Sequence, residues 1–531
     1  MSIHRSLSLT LSLALCLIIL AAFLAMVGGP IQAQGTTRHV APGGNCNGAP
    51  LCYATIQAAV DAAGNGDLIK VANGVYNQVN NQGGSNQVVY LDRTLTIRGG
   101  YAILDWTTAD PQANPTILDA EEQGRGILIA GPGITVTLEG LRITGGDATA
   151  AGESGGGLHA SDATVIVRRS DIYSNTAEAY GGGLYLVQST FTLEASTVQS
   201  NTVLASDYYE GGGAVFASAC QTSLNDNIFG HNASGERAGG VYLGGGQASL
   251  VGNTFVDNRG LGREGGGVHA RNAQVTLTEN AFRENQAHWG GGVYADMGTV
   301  TLTLNVFFSN TATVYSGGAV AILDGSGRMD HNTFTANRAN SRGGGVHLYQ
   351  SDATFDGNLF ADNRVVGDGG GLSALGQSQT LVNNAFVDNQ ATDQAGGLLL
   401  IGTTTTLWHT TLARNGDLAV YVDTGTAHFT NTLVYSHSVG VESDGGNVWM
   451  RRTLWEDNPT PTIGGVTEVE SQAGNTALAA DGYHLTFNSD ARDAALELGV
   501  TTDVDAGPRG ANPDIGADEF TFPRFVPLTY K

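Results

Sequence analysis

Ten short glycine blocks, each running into an aliphatic residue, recur between residues 155 and 400 at steps of 25 to 30 residues. They begin at Gly155, Gly181, Gly211, Ala238, Gly265, Gly290, Ser316, Gly343, Gly369 and Ala395. A second motif keeps the same time. Asn227-Ile-Phe-Gly-His-Asn232 returns at Asn253, Asn280, Asn305, Asn332, Asn358 and Asn384, always with Phe third and Asn sixth. A fixed period of this length means stacked supersecondary units, each burying its apolar face on its neighbours. A flexible glycine linker is excluded, because aliphatics interrupt the glycines on schedule.

One unit shows what a coil must be. Val275-Thr-Leu277-Thr alternates apolar and polar, as a strand with one buried face does. Glu279-Asn280 breaks that period, and Asn suits the left-handed bend a tight corner needs. Ala281-Phe282-Arg283 resumes as a second strand with Phe inward. Asn285 to Trp289 reads as a loop, and Gly290-Gly-Gly-Val293-Tyr294-Ala295 as a third strand. The expectation is an all-β, right-handed parallel β-helix of roughly fifteen coils over residues 67–480, with strands about 4.8 Å apart. Phe229, Phe255, Phe282, Phe307, Phe334, Phe360 and Phe386 should stack inside it, and the Asn residues should form hydrogen-bonded ladders at the corners.

The paired glycine-aliphatic and Phe-x-x-Asn motifs resemble the repeats of chlamydial polymorphic outer-membrane proteins. The wider pattern resembles the pectin-lyase-like right-handed β-helix superfamily. Residues 53–76, Tyr-Ala-Thr-Ile through Asn-Gly-Val-Tyr, are similar to that superfamily's entry segment. Ile56, Ala59 and Val60 form one apolar helix stripe there, so a short helix near 55–63 should plug the first coil within an N-terminal cap at 34–66. Residues 481–531 change composition, and Asn512-Pro-Asp-Ile-Gly-Ala-Asp-Glu-Phe520 resembles the terminal segment of bacterial surface β-helix proteins with variable anchors. Asp503-Val-Asp505-Ala-Gly507 keeps only part of the Asp-rich stretch usual in that family. The tail Phe525 to Lys531 reads as a recognition tag or a cap strand.

Residues 1–33 read as a secretory signal: His4 and Arg5 precede an apolar run from Leu7 to Val27, with Ile31-Gln-Ala33 as a cleavage site. The alternative is an uncleaved single-span anchor, because the run is long for a signal core. Export agrees with Cys46 and Cys52, close together in a polar loop and expected to form a disulfide. Cys220 reads as a small buried filler. The mature chain is expected to be one elongated monomeric domain that does not span a membrane, secreted or on a bacterial surface. Its formal net charge of −24, with only Lys70 and Lys531 as lysines, excludes nucleic acid as a main partner.

Where chemistry sits is read from alternation. The middle residue of the triplet after each block should face solvent, giving a column of His159, Tyr185, Val215, Tyr242, His269, Tyr294, Val320, His347, Ser373 and Leu399. Its binding candidates are His159, Tyr185, Tyr242, His269, Tyr294 and His347, whose rings suit stacking on sugars. Pectin-lyase-like enzymes form their substrate groove on the equivalent sheet, so that resemblance implies the same face. The three histidines stand too many coils apart to share one ion, and no metal or other cofactor is expected. The residue before each block forms a second column, Tyr180, Glu210, Arg237, Glu264, Trp289, Tyr315, Arg342, Asp368 and Gln394. Glu210 and Glu264 are its candidate acid pair, two coils or about 9.6 Å apart. Two functions stay open: a non-enzymatic adhesin or glycan-binding surface protein, and a polysaccharide lyase or glycoside hydrolase with an atypical site. The regularity of the coils favours the first.

Overall fold

The computed structural model describes residues 35–150, 152–204 and 211–521. The signal segment, Glu210 and the tail from Phe525 lie outside the described residues.

The chain winds into a parallel β-solenoid of about 14 turns with almost no helix. In one coil the first face is Val268–Arg271, the second Gln274–Thr278, the third Ala281–Arg283 and the fourth Gln286–Ala287. Each pairs in parallel with the same face of the next coil. The fourth face departs from the sequence reading, which made this stretch a loop. Its two-residue strands pair into a ten-stranded sheet, while the third face forms a sixteen-stranded one.

The core is built of ladders. Phe229 through Phe386 are fully buried, and successive rings stack with centroids 4.5–5.1 Å apart. Two asparagine ladders line the corners. In one, each Asn from Asn227 to Asn358 donates its side-chain N–H to the next coil's Asn oxygen at 2.9–3.0 Å. The other runs from Asn175 to Asn415, whose backbone N–H goes to His437 Nε2 while its side-chain N–H goes to Phe386 O. Every amide is satisfied inside the protein, which makes a buried polar row tolerable. The sequence reading gave Asn the bend as well as the bond. The left-handed residue is instead the one before it: Glu279 (φ 57°), Leu304 (58°), His331 (52°).

Glycine is required where faces meet closely. A Cβ on Gly292 would sit 2.8 Å from Ala319 O, and Gly290 has φ 56°.

The ends are closed differently. The helix Ile56–Asp61 starts at Thr55, whose side chain accepts the Ala58 N–H, and it buries Ile56, Ala59 and Val60 on the first coils. At the other end the inward column Leu407, Phe429, Met450 terminates in Glu468, which accepts the Trp455 indole N–H at 3.0 Å. A polar residue where the core column would continue stops the stack. Cys46 and Cys52 are joined by a disulfide, and Cys220 is a buried free thiol. Among the described residues no helix is long and apolar enough to cross a membrane.

Candidate functional site

The first-face column differs in register from the sequence reading. Tyr185 pairs with Phe216, Phe216 with Tyr242, Tyr294 with Ala321 and Ala321 with His347. Val215 and Val320 point inward and are fully buried. The blocks at Gly211 and Ser316 carry one residue more before the strand, and a one-residue slip exchanges the two faces of a strand.

The column is also covered. His159 and Tyr185 are half-buried, while Tyr242, His269, Tyr294 and His347 expose only 8, 1, 7 and 2%. The alternation does turn these side chains away from the core, but the preceding column folds across them. Tyr180 packs 4.6 Å from the Phe216 ring and 6.0 Å from Tyr185, and Trp289 lies 5.9 Å from His347. The expected solvent-facing stripe is therefore a second, shallow core. Burial pushes the His347 imidazole down to about 3, helped by Arg342, and pushes the Tyr242 and Tyr294 hydroxyls up.

The covering column pairs Ser154, Tyr180, Gly211 and Arg237 in succession, then Glu264 with Trp289 and Arg342 with Asp368. Gly211 occupies the place the sequence reading gave to Glu210. Glu264 is ion-paired with the buried Arg237 at 2.9 Å. Beside it, His269 Nε2 lies 3.0 Å from Asp296 Oδ1, and Arg271 Nε is 3.5 Å from the other Asp296 oxygen. The acid that the column itself lacks thus arrives from the end of the Val293–Asp296 strand.

The covering column itself carries accessible aromatics. Trp289 and Tyr315, on consecutive coils, stack at 4.8 Å with planes 18° apart, and Tyr315 is 45% exposed. Their backbone is pinned. Trp289 N–H donates to Arg263 O at 3.0 Å, while the Asn340 and Ser341 N–H groups donate to Tyr315 O. That same turn begins at Arg338, which with Arg364, Val366, Gln390 and Thr392 lines an open groove of about 390 Å³ along the fourth face. Arg338 and Arg364 are exposed neighbours on adjacent strands, and neither has an ion-pair partner among the described residues. The sequence carried a signal for both features. Bulky aromatics precede two successive blocks, and Arg follows the corner Asn in two successive coils.

The family model described as "Right handed beta helix region" matches residues 231–360 and 312–453. With the parallel register above, the solenoid is a right-handed β-helix. No curated protein matches the sequence significantly. Among solved structures, the chain is similar to a mannuronic acid specific polysaccharide family 6 lyase from human gut microbiota, at 13% identity and TM-score 0.32, covering 65% of this chain and 82% of that one. It is also similar to the pectate lyase Pel9A, at 13% identity and TM-score 0.24, covering 92% and 97%.

Proposed function

We propose that this is an exported, non-enzymatic β-helix protein that binds glycans through the Trp289–Tyr315 platform and the adjoining arginine groove. One observation carries the reading: a stacked, solvent-reachable aromatic pair on consecutive coils, beside two exposed guanidiniums with no carboxylate partner among the described residues. Aromatic faces stack on the C–H faces of sugars, and an arginine fork takes a carboxylate or sulfate in bidentate fashion. In a chain of net charge −24, two adjacent free arginines favour an acidic sugar locally although the overall field opposes one. A bound saccharide would span several coils, so weak contacts add up.

A second reading is a glycan-cleaving enzyme, and the His269–Asp296 pair favours it. A carboxylate-oriented imidazole beside Tyr294 and Arg271 has the residue types for abstracting and returning a proton. Its 1% exposure weighs against it, since a catalytic base must reach its substrate. A glycan array with a parallel assay for reducing ends and unsaturated products separates the two. Binding without product release supports the first reading. Turnover lost in His269→Gln supports the second and removes the first.

A further inference from the structure

The segment after Gln472–Ala473 has little regular structure, yet it is anchored along the third face of the solenoid. Leu485, Ala491 and Ile515 pack on Leu433 and Leu454, while Val504 and Ala517 pack on Ala385 and Val387. Three of its stretches converge on one imidazole. His484 Nδ1 lies 2.7 Å from Asp481 Oδ2, and His484 Nε2 lies 2.5 Å from Asp505 Oδ2. Asp518, 6% exposed, turns its carboxylate to the same place, so that ligand atoms of His484, Asp505 and Asp518 all lie within 4.8 Å of one another.

A neutral imidazole has one N–H and one lone pair. If Nδ1–H donates to Asp481, the Nε2 lone pair faces the Asp505 carboxylate at hydrogen-bond distance, with Asp518 beside it. Lone pair against carboxylate is repulsive unless a cation lies between them. At 2.5 Å a proton fills that place, and a metal ion takes it over if the two atoms draw apart to the spacing of two ligands on one ion. The arrangement around Nδ1 is the one metal-bound histidines adopt, with the distal N–H held by a carboxylate that fixes tautomer and ring orientation. Half-exposed His484 and exposed Asp505 leave a side open for entry and for water ligands.

We propose that His484, Asp505 and Asp518 form a binding site for a divalent transition-metal ion, oriented by Asp481, which staples the C-terminal segment to the β-helix. One imidazole nitrogen with two carboxylate oxygens suits Zn²⁺ over Ca²⁺, which prefers an all-oxygen shell. Bonds near 2.0–2.1 Å set ligand atoms about 3.3 Å apart, so on binding Asp505 must draw back from His484 Nε2, now 2.5 Å away, while Asp518 closes in. Asp505 sits in an exposed turn that permits this. The inference is independent of the glycan reading, since the site lies on the third face and not on the first or fourth.

The test uses the full chain, stripped with chelator and dialysed at neutral pH. Calorimetric titration with Zn²⁺ should give one ion per chain, and thermal melting should rise by several degrees in zinc. His484→Gln and, as a milder variant, Asp505→Asn should lose both responses while remaining folded by circular dichroism. Absence of zinc binding by the wild type, or undiminished binding by both variants, overturns the proposal. The first result would leave a protonated imidazole clamped by three carboxylates.

Discussion

Asn332 donates its side-chain N–H to Asn358 Oδ1 at 3.0 Å, and the same oxygen takes the Asn332 backbone N–H at 2.9 Å. One amide oxygen thus satisfies two donors of the coil before it. The other Asn332 side-chain hydrogen goes to Leu302 O. Asn332→Leu would strip the Asn305 backbone and side-chain donors of their acceptor and remove the side-chain bond to Leu302 O. The expected loss is about 3 kcal/mol or more, since each buried unsatisfied group costs about 1–3 kcal/mol. Urea unfolding checks it, and a loss below the size of a surface mutation contradicts the ladder account.

The neighbouring column behaves differently, because it is apolar. Phe307→Ala opens a cavity between the Phe282 and Phe334 rings, which lie 4.8 and 5.1 Å away. Stability should fall by about 3–5 kcal/mol, with no change in secondary structure by circular dichroism.

These two columns were the legible part of the fold. Their spacing in the sequence equals the coil length, so the vertical neighbours of Phe307 or Asn332 could be named directly. Register at Phe216 and Ala321 was not legible, because one added residue in a glycine block leaves the periodic motif intact while exchanging inside for outside. Nor was the burial of His269 and His347. Alternation tells which way a side chain leaves its strand, and says nothing about a neighbouring column, such as Trp289, that folds over it. The C-terminal cluster was invisible for a different reason: Asp481, His484, Asp505 and Asp518 meet only because an irregular segment doubles back on itself.

Leu304 holds a left-handed conformation (φ 58°) with its side chain 51% exposed. Left-handed backbone costs an L-residue about 1–2 kcal/mol, whereas glycine adopts it freely. Leu304→Gly should therefore stabilise the protein by about 1 kcal/mol, read from the same urea curves. A destabilised variant would show that the corner backbone is held by side-chain contacts.

Buried histidines supply a pH signature. His409 accepts a hydrogen bond from Asn431 at Nε2 and faces Asp514 O with Nδ1, and burial, aided by Arg509, pushes it down to about 3. The folded state thus holds fewer protons than the unfolded state, where histidine titrates near 6.5. Stability from neutral His409 is present above pH 6.5 and is lost as pH falls from there toward 3. Asp514, pushed up to about 6 by burial, acts in the opposite sense, so a mutant difference is the readout. The gap in stability between wild type and His409→Gln should shrink by up to about 1.4 kcal/mol per pH unit between pH 6 and 4. A pH-independent gap contradicts the assignment.

The central functional claim rests on Trp289 and Tyr315, and the direct measurement is a binding isotherm for an acidic oligosaccharide drawn from the array. The account predicts that the double variant Trp289→Ala and Tyr315→Ala, still folded by circular dichroism, loses at least tenfold in affinity. It also predicts that Arg338→Gln with Arg364→Gln removes the preference for acidic over neutral sugars. Unchanged affinity in a folded double aromatic variant would contradict it.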